Sequence, residues 1–113
     1  MSVTTKALTP QFAVTAQLSV HDLPAVAAQG FRTVINNRPD GEGGISQPDS
    51  REFEAAAGTL GLHYVYLPVV SGAITTAQAQ AMREALAAAT GPVLAFCRSG
   101  ARSAQLYGLA TGQ

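Results

Sequence analysis

A chain of 113 residues fits one compact domain, able to bury roughly two thirds of its unfolded surface without a disulfide or metal staple. Seven Lys and Arg balance seven Asp and Glu, and charged residues are only 12% of the chain, which argues against DNA, RNA or an acidic membrane as main partner. The 47% hydrophobic fraction excludes disorder, and a lone cysteine excludes both an intramolecular disulfide and a thiolate-rich zinc cage.

Along the chain, residues 1–12 contain one Lys and no apolar run of signal-peptide length. No stretch reaches the roughly 18 apolar residues of a membrane span, so a cytoplasmic, reducing location without a membrane partner is expected. A weak strand candidate covers 12–18. Residues 20–29 read as a helix, with Ser19 as N-cap, Asp22 three residues on, Leu23, Val26 and Ala27 on one face, and Gly30 as the stop. A strand follows at 31–36, then a Gly-rich loop at 39–47. The second helix is expected to begin near Pro48, a good first-turn residue, and to stop at Gly61 with Phe53, Ala56, Ala57 and Leu60 inward. After a strand at 63–69, Thr75 and Gln78 make a capping-box pattern for a third helix carrying Met82, Ala85, Leu86 and Ala89, ended by Gly91-Pro92. A strand at 92–97 and a helix at 101–110 complete the series.

Strand and helix alternate almost strictly. The fold class expected is α/β, a mainly parallel central sheet with helices on both faces, with residues 1–113 as a single domain and Val93-Leu94-Ala95-Phe96 as its buried middle strand. Ligands of such sheets sit beyond the carboxyl ends of the strands. Here those ends are 37–42, 70–75 and 97–102.

The segment Cys97-Arg98-Ser99-Gly100-Ala101-Arg102-Ser103 lies at one of them. A loop between a buried strand and a helix turns successive backbone N–H groups toward one point, where the helix dipole adds positive charge, so an anion is expected there. The same field favours the Cys97 thiolate. Arg102 offers a planar fork for two oxygens of a tetrahedral anion, and Gly100 allows a turn that a side chain would obstruct. Arg98, Ser99, Gly100, Ala101, Arg102 and Ser103 are therefore the candidate anion cradle, with Arg102 as the clamp and Arg98 pointing away. The alternative is an inert buried cysteine flanked by solvated arginines.

On these residues the chain resembles the bacterial beta-lactamase hydrolase-like protein, phosphatase-like domain family. The match is carried by Phe31-Arg32-Thr33-Val34-Ile35-Asn36-Asn37-Arg38-Pro39-Asp40-Gly41-Glu42, by the 64–69 segment with Leu67-Pro68-Val69, and by the Cys97 loop. The resemblance implies a fold like that of tyrosine and dual-specificity phosphatases, and a cysteine that attacks phosphorus to form a phosphocysteine while an Arg holds the phosphoryl oxygens. This sequence departs from those phosphatases in two ways. Phe96 stands where they have His, and four residues rather than five separate Cys97 from Arg102, a length similar to the active loop of single-domain rhodaneses. Further, 70–75 contains no carboxylate to act as general acid. A rhodanese-like sulfurtransferase with a persulfide on Cys97, or a non-catalytic anion-binding or partner-binding module, therefore stand as alternatives.

Asp40 is the first candidate for a substitute acid, with Glu42 beside it, although both also fit an acidic turn next to Pro39 and Gly41. Arg38 is either a second anion clamp or a partner for those carboxylates. His21 and His63 have no further ligand at metal spacing, and no cofactor is expected. The expected partner is a small anionic substrate, a phosphate ester or a sulfur donor.

Overall fold

The computed structural model describes residues 2–112; Met1 and Gln113, which the domain reading includes, lie outside the described residues. Five strands form one sheet: β1 (Lys6–Thr9), β2 (Phe12–Thr15), β3 (Thr33–Asn36), β4 (His63–Tyr66) and β5 (Val93–Phe96), in the order β1-β2-β5-β3-β4. β2, β5, β3 and β4 run parallel, and β1 pairs antiparallel with β2 at one edge. Among the described residues the α-helices are α1 (Leu23–Ala28), α2 (Ser50–Thr59), α3 (Thr76–Ala88) and α4 (Ala101–Thr111).

Alternation along β5 divides the core. Val93 and Ala95 face a cluster that includes Val14, Ile35, Met82, Leu106 and Ala110 from the α3 and α4 side. Leu94 and Phe96 face the other cluster, with Leu23, Val26, Phe53 and Ala57 from α1 and α2. All four β5 residues are buried, as expected for a middle strand whose two faces are both covered. Phe53 packs on Phe96 with ring centroids 5.1 Å apart, so truncation at Phe53 would cost about 3–5 kcal/mol.

Several boundaries differ from the sequence expectation. Ser19 and Asp22 do form a capping box, but the first turn is a 3-10 helix, Val20–Asp22, that passes into α1 only at Leu23, just ahead of Pro24. Pro48 precedes the cap: Asp49, boxed with Glu52, starts α2. A carboxylate that accepts from the N3 backbone satisfies helix donors, which Pro48 cannot do. α3 ends at Ala88, before Gly91-Pro92, whereas its Thr75 and Gln78 box is formed as expected. β4 stops at Tyr66; the 67–69 stretch continues alongside β3 through Leu67 N to Asn36 O (2.9 Å) and Val69 N to Asn37 O (3.0 Å). β1 was not expected, because Lys-Ala-Leu-Thr lacks the β-branched density that marks an interior strand.

Candidate active site

β5 ends at Phe96, and the chain turns through Cys97, Arg98, Ser99 and Gly100 into α4. Gly100 sits at φ 95°, the left-handed region, and a Cβ there would lie 3.3 Å from Thr15 O. Its N–H donates to Cys97 Sγ at 3.1 Å. The turn is also tied to β2, since Gln17 N donates to Arg98 O at 3.2 Å. Cys97 is 1% exposed, at the base of a cavity of about 640 Å³ bounded by Arg38, Glu42, Val70, Ser71, Arg98, Ser99, Ala101 and Arg102.

Burial alone would push the Cys97 thiol up. The Ser103 N–H and hydroxyl and the N–H groups of Ser99 and Gly100 outweigh it, so the thiol titrates below its ordinary value. The buried Ser103 hydroxyl makes no well-formed hydrogen bond in the resting arrangement, although it is close enough to favour the ionised sulfur. A hydroxyl rotor turns to meet a thiolate once the charge develops.

Arg102 leaves the first turn of α4, and its side chain is 9% exposed. Its NH1 and NH2 each lie 3.0 Å from one oxygen of Glu42, and NH1 also donates to Val69 O at 3.0 Å. Arg38 Nε reaches the same carboxylate at 2.9 Å while its NH1 donates to Gln17 Oε1. Glu42 is therefore held between two guanidinium groups. The hydrogen bond from Arg102 is the largest influence and Arg38 adds to it against the cost of burial, which holds the Glu42 carboxyl below its usual range. The end edge of the Arg102 fork is occupied. The side edge, made of Nε and the second hydrogen of NH2, is not: Nε is buried without an acceptor among the described residues.

The structure brings Arg38, Arg98, Ser99, Ala101 and Arg102 to the cavity with Cys97, and places Gly100 and Ser103 directly behind the sulfur. Arg98 is among the residues that line the cavity, and its exposed side chain has no hydrogen-bond partner among the described residues. Asp40 is not at the cavity. Its carboxylate accepts from Ser50 N (2.9 Å) and its N–H donates to the Tyr66 hydroxyl (2.8 Å), so it fastens the loop to α2 and β4. Of the two acids on that loop, Glu42 is the one that reaches the Cys97 cavity.

Sequence reasoning missed five supporting residues. Gln17 holds Arg38 from β2's end. Asn37, fully buried, links the ends of β3 and β5 through its N–H to Phe96 O (2.8 Å) and reaches Leu67 O through Nδ2 (2.8 Å). Tyr64 binds Asn36 Nδ2 and Ser50 Oγ, and Asn36 Oδ1 in turn accepts from Arg38 N. Tyr66 holds Asp40. Asn36-Asn37 at the end of an otherwise apolar strand was the signal for two of these contacts. No three His, Cys, Asp or Glu side chains gather as a metal-binding group among the described residues.

The chain is similar to known proteins along most of its length. Residues 4–113 match the family described as "Beta-lactamase hydrolase-like protein, phosphatase-like domain". The chain belongs to this family. It is 40% identical over 94 residues to the Beta-lactamase hydrolase-like protein of Agrobacterium fabrum, an alignment covering 83% of this chain and 22% of that protein. The family domain thus spans about a fifth of the curated relatives it matches. Among solved structures, a "putative phosphatase" of Neisseria meningitidis superposes with a TM-score of 0.83 at 32% identity, covering 91% of this chain and 72% of that one. The core catalytic domain of the PP-IP phosphatase SIW14 from S. cerevisiae shares the fold alone, at 12% identity and a TM-score of 0.73 over 96% of this chain and 65% of its own. The architecture of this phosphatase-like domain is that of the tyrosine and dual-specificity phosphatases. Among the described residues, no helix is long and apolar enough to cross a membrane.

Proposed function

We propose that this phosphatase-like domain is a cysteine-dependent phosphatase in which Cys97 is the nucleophile and Arg102 the phosphoryl clamp. One observation carries the reading: the side edge of the buried Arg102 fork has no protein acceptor, beside a sulfur whose surroundings favour the thiolate. A buried cationic donor without a partner is costly, and a phosphoryl group with oxygens on Nε and NH2 would relieve it. Glu42 and Val69 O fix the other edge of the fork, so the clamp needs no reorganisation when substrate arrives.

In the first step the Cys97 sulfur attacks phosphorus, the S–P bond forms, and the bond to the leaving oxygen breaks. Backbone N–H groups of the 98–102 turn and Arg102 take up charge on the three phosphoryl oxygens. Water then attacks the phosphocysteine, the thiolate departs, and inorganic phosphate leaves. Asp40 has no part in this scheme. Glu42, held ionised by two arginines, orients Arg102 rather than donating a proton.

The test is rapid quench with an aryl phosphate, followed by mass spectrometry. A phosphoryl adduct on Cys97, absent from Cys97→Ser along with turnover, is the expected result. A persulfide on Cys97 after thiosulfate, with no phosphate release from any ester, would replace this reading with sulfur transfer. Tight phosphate binding with neither adduct would leave an anion-binding module.

A further inference from the structure

The side chains around Cys97 say what kind of bond the site is able to break. Leaving oxygens differ in how much they need a proton: a phosphate, with a pKa of about 6, leaves as an anion, a phenol at about 10 needs modest help, and an alkoxide, about as basic as hydroxide, must be protonated as it departs. The cavity supplies no such proton. Among the described residues its one carboxylate is Glu42, fixed at 2.9–3.0 Å between Arg38 and Arg102 and so acceptor-only. Asp40 is turned to Ser50 N, and the 70–75 loop brings only Val70 and Ser71 to the wall. Serine hydroxyls, at Ser71 and Ser99, are as weakly acidic as the alkoxides they would have to protonate.

What the cavity does supply is a spare cation. Three arginines line it, and Glu42 pairs with Arg38 and Arg102, while Arg98 is unpaired among the described residues. Arg98 is the residue next to Cys97 on the cavity lining, and its side chain is exposed. The volume, about 640 Å³, holds more than one tetrahedral anion. A site without a proton donor but with an unpaired arginine on its lining suits a leaving group that carries its own negative charge.

We propose that the site cleaves phosphoric anhydrides, with Arg98 gripping the departing phosphate. The inference rests on the phosphatase reading and narrows its substrate class. The Cys97 thiolate attacks the terminal phosphorus, the S–P bond forms, and the bridging P–O bond breaks, its electron pair leaving on a phosphate anion that needs no proton. Water then cleaves the phosphocysteine: its oxygen bonds to phosphorus as the S–P bond breaks, the thiolate is restored, and the two hydrogens leave with the dihydrogen phosphate, which sheds one to solvent at neutral pH.

The experiment compares kcat/KM for inorganic tripolyphosphate, phenyl phosphate and glycerol phosphate in chelator-treated buffer, in the unaltered domain and in Arg98→Gln and Arg98→Lys. Tripolyphosphate should exceed the aryl ester by about 10-fold, and the alkyl ester should fall about 100-fold or more below it. Arg98→Gln should lower the tripolyphosphate-to-aryl ratio by about 5-fold, with Arg98→Lys recovering part of it and thermal melting confirming both folds. Aryl ester turnover with tripolyphosphate no better would overturn the inference and leave the phosphatase reading standing. Glycerol phosphate turned over as fast as the aryl ester would overturn it too, by revealing a proton donor. A ratio indifferent to Arg98→Gln would remove Arg98 from the leaving-group role. No phosphate from any of the three would defeat the reading and the inference together.

Discussion

The turn from Cys97 to Gly100 and the loop from Arg38 to Asp49 bring charge to the same cavity, but they are held in different ways. The first is set by backbone: a buried strand enters it, α4 leaves it, Gly100 at positive φ packs against Thr15 O, and Gln17 N ties it to Arg98 O. The second is set largely by side chains, some close in sequence and two from far along the chain. Tyr66 holds Asp40, Gln47 bridges Pro39 O and Gly43 N, Asn36 holds Arg38 N, and Arg102 meets Glu42 sixty residues away. The backbone-held turn presents the reacting atom, and the side-chain-held loop aims the clamp. Damage to the first should therefore remove chemistry, while damage to the second should loosen it.

The largest effect should come from the clamp that joins the two. Arg102→Lys keeps the charge and loses both the Nε–NH2 edge and the bidentate contact with Glu42, so kcat/KM for an aryl phosphate should drop roughly 10-fold or more. A drop no larger than that of Arg98→Lys would break the assignment. Next is Gly100→Ala, which asks an alanine to hold φ 95° with its Cβ 3.3 Å from Thr15 O. Chemical denaturation should show a loss of about 1–3 kcal/mol, and the Cys97 alkylation rate by iodoacetamide should lose its advantage over free cysteine at neutral pH. Unchanged stability would mean that the turn is not backbone-held.

Smaller effects should follow in the 38–49 loop. Glu42→Gln removes a carboxyl that folding holds below its usual range, chiefly through Arg102. Such a group stabilises the fold fully above its unfolded pKa, and that contribution is lost as pH falls through the folded value. The variant should thus lose some stability at neutral pH, lose less on acidification, and show weaker phosphate binding by a few-fold because Arg102 is no longer aimed. An acid limb equal to that of the unaltered domain would show that the carboxylate contributes nothing. The mildest change is Tyr66→Phe, which removes one exposed hydrogen bond to Asp40 N; a stability cost of about 1 kcal/mol or less is expected, visible as faster proteolysis within 39–47. A cost well beyond this would mean that the loop is a rigid part of the core.

The sequence by itself determined the parts that depend on neighbours in the chain. Strand-helix alternation, the Thr75–Gln78 cap, the apolar run of β5 and the spacing from Cys97 to Arg102 are local patterns, and each places its own residues. Segment 12–18 was only a weak candidate, and β1 was unseen, because an edge strand such as Lys6–Thr9 needs few β-forming residues once a partner is beside it. Pro48 and Asp49 compete for one helix start, and the choice of Asp49 rests on which residue satisfies the first N–H groups. Tertiary structure alone decided between Asp40 and Glu42. The two carboxylates stand two residues apart in the same turn, with equal claims by chemistry. Only the positions of Ser50 and Tyr66 on one side, and of Arg102 arriving from α4 on the other, send one to the scaffold and the other to the clamp.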